Sequence, residues 1–271
     1  MNLDEVFDLT GKVIVITGGT GVLLSPTVLK LAELKAQIIL LSRTPDEAFM
    51  EKLSQYGISP MFLSVDVSQK EQILQACDRI IGQYQQIDIL INGAGGNRPG
   101  AITSDDQRFF DLPDEAIQQV FNVNLMGTLF ACQVFGETMA RQEKGVILNI
   151  SSMAAHKPLT RVVAYSAAKA AVDNFTQWLA VHMAQRYSPN IRVNAIAPGF
   201  LLTDQNRYLL LDESGKLTTR GREIVQTTPM GRFGEPGEMT GTILWLISDA
   251  ARFVTGIVVP VDGGFSAYGG V

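Results

Sequence analysis

Short, almost uninterrupted apolar runs recur along the chain: KVIVI (12–16), QIILL (37–41), MFLSV (61–65), IDILI (87–91), GVILNI (145–150), IRVNAI (191–196) and GIVVPV (256–261). Each is rich in β-branched residues and too short for an ordinary helix, which predicts strands. Because they do not alternate between apolar and polar, both faces of their sheet are expected to be covered. Longer stretches with helical spacing lie between them. QKEQILQACDRIIGQY (69–84) and NFTQWLAVHMAQRY (174–187) are both amphipathic. Strand–helix alternation over the whole length predicts an α/β protein, one domain spanning residues 1–271 around a doubly wound, parallel, seven-stranded sheet. Residues 200–235 break the rhythm. That segment follows a strand, contains no sheet element, and suits either a lid over the strand ends or a plain helical excursion at the surface.

Composition narrows the class. Of 271 residues, 46% are hydrophobic, enough to fill the core of such a sheet. The formal net charge is −5 and no basic block occurs, which argues against nucleic acid or an anionic membrane as a partner. No apolar run approaches the roughly 18 residues that a membrane span needs. The opening MNLDEVFDLTG is acidic rather than a basic lead into an apolar core, so no secretory signal is expected and the expected location is cytoplasmic. Cys77 and Cys132 lie in helix-like segments with no thiol or histidine at ligand spacing, and read as buried thiols. The two histidines, His156 and His182, form no metal motif.

Candidate chemistry lies in the segments that follow the strands. The first strand runs into Thr17-Gly-Gly-Thr-Gly-Val22. Gly18, Gly19 and Gly21 permit a tight turn, and with Val22 at the next helix start they offer N–H groups to a pyrophosphate. A simple chain reversal would use the same glycines; the strand before and the helix after favour the phosphate reading. After the second strand stand Ser42 and Arg43, where a carboxylate would select the 2′-hydroxyl of NAD. Arg43 can pair with a 2′-phosphate instead, which leans the cofactor toward NADP over NAD. Asp66 closes the third run and is placed for an adenine edge. NGAGGN (92–97), with Asn92 and Ala94, is a small polar run along which a cofactor can pass close to backbone. Finally, VVAYSAAKAAV (162–172) sets Tyr165 and Lys169 four apart on one helix face. The spacing suits a phenol tuned by an ammonium, and equally a Tyr ring packed on a Lys stem.

Together, NGAGGN (92–97), FNVNLMGT (121–128), NISSMAA (149–155), YSAAK (165–169) and NAIAPGFLLT (194–203) resemble the short-chain dehydrogenase/reductase family over essentially the whole chain. Within it, SSMAAHKPLTRVVAYSAAKAAVDNFTQWLAVHMA, APGFLLTDQNR and VVPVDGGFSAYGGV are most similar to the fructuronate reductase (D-mannonate oxidoreductase) branch. The resemblance implies a Rossmann fold, a nicotinamide dinucleotide, a homotetramer, and a catalytic set of Asn124, Ser152, Tyr165 and Lys169. In that set Tyr165 is the general acid/base, Lys169 lowers its pKa and holds the nicotinamide ribose, Ser152 binds the substrate oxygen, and Asn124 supports a water-mediated proton path to Lys169. Val67, Pro198, Gly199, Leu201 and Thr203 are implied as further cofactor contacts. One departure stands out: the family's Thr-Gly-x-x-x-Gly-x-Gly loop has Val22 and Leu24 at its last two glycine positions. The implied reaction moves a hydride between NAD(P)(H) and a sugar-acid ketone or alcohol, with fructuronate and D-mannonate as the pair. Asn97, Arg98, Arg161 and Arg207, with Gln205 and Asn206, are loop residues suited to a carboxylate and a row of hydroxyls, Arg207 foremost. A 3-oxoacyl-carrier reductase of the same family, or a cofactor-binding protein without turnover, is the alternative.

Overall fold

All seven apolar runs become strands. The computed structural model describes residues 3–204 and 206–270. Its strands are β1 (Val13–Thr17), β2 (Gln37–Ser42), β3 (Met61–Ser64), β4 (Ile89–Asn92), β5 (Gly145–Ile150), β6 (Ile191–Pro198) and β7 (Val258–Val261), and they form one sheet in the order β3-β2-β1-β4-β5-β6-β7. Every neighbouring pair is parallel. The helices between them are α1 (Leu3–Val6), α2 (Ser25–Glu33), α3 (Glu47–Ser54), α4 (Lys70–Tyr84), α5 (Asp114–Phe121), α6 (Gly127–Gln142), α7 (Val163–Arg186), α8 (Arg207–Leu210), α9 (Thr219–Thr227) and α10 (Thr240–Ile247).

The continuous apolar character of the strands follows from a core on each face. Val13, Val15, Ile39, Leu41 and Leu90 pack on one side with Ile73 and Ile80 of α4, Phe135 of α6 and Leu179 of α7. Ile14, Ile16, Ile38, Leu40 and Ile91 pack on the other with Val28 and Leu31 of α2, Leu53 of α3 and Leu246 of α10. Successive strand residues therefore serve opposite layers, and no polar position is needed between them. No helix among the described residues is long and apolar enough to cross a membrane, and both cysteines are buried.

The segment after β6 is a closed excursion. Leu202 N–H donates to Gly234 O (2.8 Å) and Gly234 N–H to Phe200 O (3.0 Å), which pins its two ends together. Inside it α8 and α9 pack closely: a Cβ on Gly221 would lie 2.3 Å from Leu210 O. The Thr218 hydroxyl caps α9 by accepting from Gly221 N–H (3.0 Å). Two short helices thus occupy a stretch whose sequence shows no clear period.

Candidate active site

The chain leaves β1 toward β2 and returns on the far side to β4, yet Thr17 of β1 and Asn92 of β4 are paired neighbours. Connections diverge at that point, and a cleft of about 800 Å³ opens beyond the strand ends. Gly18, Gly21 and Val22 of the first turn line it, with Ser42 at the end of β2 and Arg43 after it, Asp66 and Val67 after β3, and Ala94 after β4, all among the residues singled out in the sequence. Thr20, Gly95 and Asn122 line it too, and none of these was singled out in the sequence. Gly18 is required twice over: its φ is +66°, and a Cβ there would stand 2.9 Å from the backbone of Ala94.

Other candidate residues lie outside the lining of this cleft. Gly19 does not face the cleft; a Cβ on it would meet Leu40 Cδ2 at 2.7 Å and Ile16 Cγ2 at 2.9 Å, so its smallness lets the loop pack on the sheet. Asn92 turns into the core, where its Nδ2 donates to Asn149 Oδ1 (2.9 Å) and Cys132 Sγ (3.2 Å). Pro198, Gly199, Leu201 and Thr203 stand at the base of the excursion rather than among the cleft-lining residues. Gly199 is packed on Asp262, Leu201 is 7% exposed, and Thr203 N–H donates to Asn206 Oδ1 (2.8 Å). The departure in the glycine loop also has a physical basis. Leu24 is only 2% exposed, and a Cβ on Gly93 would lie 2.1 Å from its Cδ1, so the missing side chain at Gly93 makes room for the extra one at Leu24.

These walls fit a dinucleotide. The N–H groups of Val22 and Leu23 line the cleft without an acceptor among the described residues, which suits an anion. Arg43 forms no ion pair among the described residues, and no carboxylate ends β2. The Ser42 hydroxyl is tied to Thr20 Oγ1 (3.1 Å), joining the β2 end to the first turn.

At the inner end of the cleft, Gly95 links it to the residues expected as the catalytic set: a Cβ there would lie 2.7 Å from Asn124 Oδ1 and 3.3 Å from Lys169 Nζ. Ser152 follows β5 and caps the 3₁₀ turn Met153–Ala155, its Oγ accepting from Ala154 N–H (3.2 Å). That bond uses a lone pair and leaves the hydroxyl proton for another acceptor. Tyr165 and Lys169 occupy the first two turns of α7, with Lys169 Nζ 5.8 Å from the phenol ring centroid. Lys169 is buried at 4% exposure, and its ammonium donates to Ile150 O (2.7 Å). Asn124 lies in a π-helical turn, Asn122–Met126, between α5 and α6. Its Oδ1 accepts from Gly96 N–H (3.0 Å), while Nδ2 donates to Gly96 O (2.7 Å) and Val120 O (2.8 Å). Its amide thus clamps the loop after β4.

Burial raises the Tyr165 phenol above its ordinary pKa, with the nearby Ser152 hydroxyl pulling the other way. In the chain alone, burial thus sets the direction of the phenol's shift. Burial also lowers Lys169, to about 8, and Asp173 opposes that fall.

The expected substrate residues are dispersed. Arg98 lines the dinucleotide cleft, and Asn97 turns its Oδ1 back to Arg98 N–H (2.9 Å). Arg207 is exposed and reaches toward Asp204 (3.9 Å); Gln205 lies outside the described residues. Arg161 lines a separate cavity of about 190 Å³ together with Thr160, Phe200, Glu223, Ile224 and an unforeseen Arg220 from α9. Arg161 has φ +78° and is held by a bond from Thr103 N–H to its carbonyl (2.9 Å). Neither arginine is ion-paired among the described residues. Arg220 went unnoticed because only the folded excursion carries it to that cavity.

The sequence matches known proteins along its length. The family model described as Enoyl-(Acyl carrier protein) reductase matches residues 26–266. An uncharacterized oxidoreductase of Bacillus subtilis, UxuB, is 44% identical, the match covering 97% of this chain and 98% of that one. The 2-dehydro-3-deoxy-D-gluconate 5-dehydrogenase of Escherichia coli is 32% identical over 97% of this chain and 98% of its own. A crystal structure from Haemophilus influenzae, provisionally assigned as a D-mannonate oxidoreductase and solved with bound NAD, superposes with a TM-score of 0.91 at 44% identity, covering 100% of both chains.

Proposed function

The chain belongs to the short-chain dehydrogenase/reductase family as an NAD(P)-dependent oxidoreductase, and on that premise we propose that it acts on a sugar acid, reducing fructuronate to D-mannonate or catalysing the reverse. One observation carries the substrate class: two unpaired arginines, Arg161 and Arg220, share a cavity beside the loop that leads into α7, four residues before Tyr165. A carboxylate held there by paired N–H bonds fixes one end of a short polyhydroxy chain. The names of the Escherichia coli and Haemophilus influenzae relatives support the same class.

A bound nicotinamide dinucleotide supplies or accepts the hydride. The rest is done by side chains of this protein. The free hydroxyl proton of Ser152 points the reacting oxygen toward Tyr165. Tyr165, kept protonated by burial, delivers its proton to that oxygen in reduction and recovers it in oxidation. The Lys169 ammonium stabilises the phenolate so formed and is itself anchored on Ile150 O. α8 and α9 form a lid that brings Arg220 over the substrate. Arg43 lets the cleft take NADP as well as NAD. Chains associate through the outer face of α7, where Trp178 stacks on His182 (4.7 Å) while remaining 57% exposed, next to Val181 at 57%.

The test is steady-state kinetics on fructuronate, tagaturonate, 5-ketogluconate and an acetoacetyl thioester with each dinucleotide. A hexuronate is expected to be preferred, and Arg161→Ala and Arg220→Ala to raise its KM roughly tenfold, as for a lost charged bond of about 1.4 kcal/mol. A preference for the thioester would reject the sugar-acid reading in favour of a carrier-linked substrate.

A further inference from the structure

The face of α7 that carries Tyr165 and Lys169 continues one turn further to Asp173. Asp173 is 8% exposed, and a carboxylate at that depth needs partners. It has one: Oδ2 lies 3.0 Å from Nε2 of His156. His156 directly follows the turn that carries Ser152, and its side chain is 40% exposed. The other carboxylate oxygen, Oδ1, and the Ser151 Oγ are both buried outside ideal hydrogen-bond geometry, yet the Ser151 hydroxyl stands close enough to favour the ionised carboxylate. Ser151 in turn adjoins Ile150, whose carbonyl holds Lys169 Nζ. His156 and Asp173 therefore run from solvent inward to the helix turn that follows Lys169. No other charged group among the described residues acts on Lys169 or Asp173.

We propose that Asp173 is a positioning residue: fixed by His156, its carboxylate is the buried counter-charge that keeps the Lys169 ammonium protonated while Nζ is anchored on Ile150 O. The inference rests on the reading of Tyr165 and Lys169 as the acid/base pair. Its physical basis is that a lone ammonium in the core sheds its proton readily, and an anion on the next turn opposes the loss. Burial and Asp173 act on Lys169 in these opposite senses; burial also raises Asp173 above the usual carboxylate range, and Ser151, His156 and Lys169 oppose that rise and favour its ionised form.

The isosteric Asp173→Asn removes the charge and keeps the shape. In enzyme labelled with ¹³Cε-lysine, with Lys169→Arg giving the assignment, the Lys169 titration is expected to fall by about one pH unit from its wild-type position near 8. With that shift, the charged fraction drops about fivefold at pH 8 and hardly changes at pH 6. In the reductive direction, kcat/KM of the variant should therefore be about fivefold low at pH 8 and near wild type at pH 6. A purely structural role would lower both alike. His156→Gln, at the exposed end, should move the titration the same way by a smaller amount and serves if Asp173→Asn does not fold. An unmoved Lys169 titration in the folded variants overturns the proposal. Should Tyr165→Phe retain turnover, the acid/base reading fails instead, whatever Asp173 does.

Discussion

The pairing of Leu24 with Gly93 can be tested as a swap. Gly93→Ala alone places a methyl 2.1 Å from Leu24 Cδ1 and 3.0 Å from Thr17 O, and such overpacking costs about 2 kcal/mol. Leu24→Ala alone empties a site that is 2% exposed and walled by Val28, Ile16 and their neighbours, a loss of about 3 kcal/mol. Were the sites independent, the double variant would lose about 5 kcal/mol. They share one volume, however, so the new methyl occupies part of the space the leucine vacates. The expected coupling is about 1–2 kcal/mol in favour of the double variant. Recovery is incomplete, since the Thr17 carbonyl at 3.0 Å is backbone and does not retreat with the leucine. Urea unfolding of all four proteins at one fixed chain concentration measures the cycle, the fixed concentration keeping the four comparable. Additivity within about 0.5 kcal/mol would refute the compensation and leave the altered glycine loop unexplained.

Tyr165→Phe should lower kcat by about two to four orders of magnitude while dinucleotide binding, followed by fluorescence, changes little; near-normal turnover would remove Tyr165 from its role. Arg43→Ala should weaken NADP by about 1–3 kcal/mol and leave NAD nearly unaffected, and equal losses for both would show that Arg43 does not read the 2′ position. Burial pushes the Cys132 thiol up to about 12 and raises Cys77 too. Since the reactive thiolate appears only as pH approaches those raised values, a disulfide reagent at pH 8 should label neither in the native protein and both after denaturation; rapid native labelling would contradict the buried placement.

Much of the architecture was legible in the sequence because it rests on short-range rules. Runs such as QIILL and IRVNAI can only be buried on both faces, and alternation with amphipathic helices leaves a doubly wound parallel sheet as the way to cover them. The cleft-lining turns were legible for the same reason: Gly18, Ser42, Arg43, Asp66 and Ala94 stand at or within two residues of strand ends, and in this topology strand ends converge on one cleft. Tyr165 and Lys169 were related by helical spacing alone, and Ser152 and Asn124 by resemblance. What needed tertiary structure was any property set by a partner distant in the chain. Gly19 is small because of Leu40, Leu24 is tolerated because of Gly93, and Asn92 faces Asn149 rather than the cleft. Arg161 meets Arg220 only because the excursion after β6 closes on itself and returns α9 to the loop before α7. The sign of the Tyr165 shift belongs with these. Spacing sets the two residues one turn apart, but burial raises the phenol, and depth is fixed by the packing of α7 on β6 rather than by any local pattern.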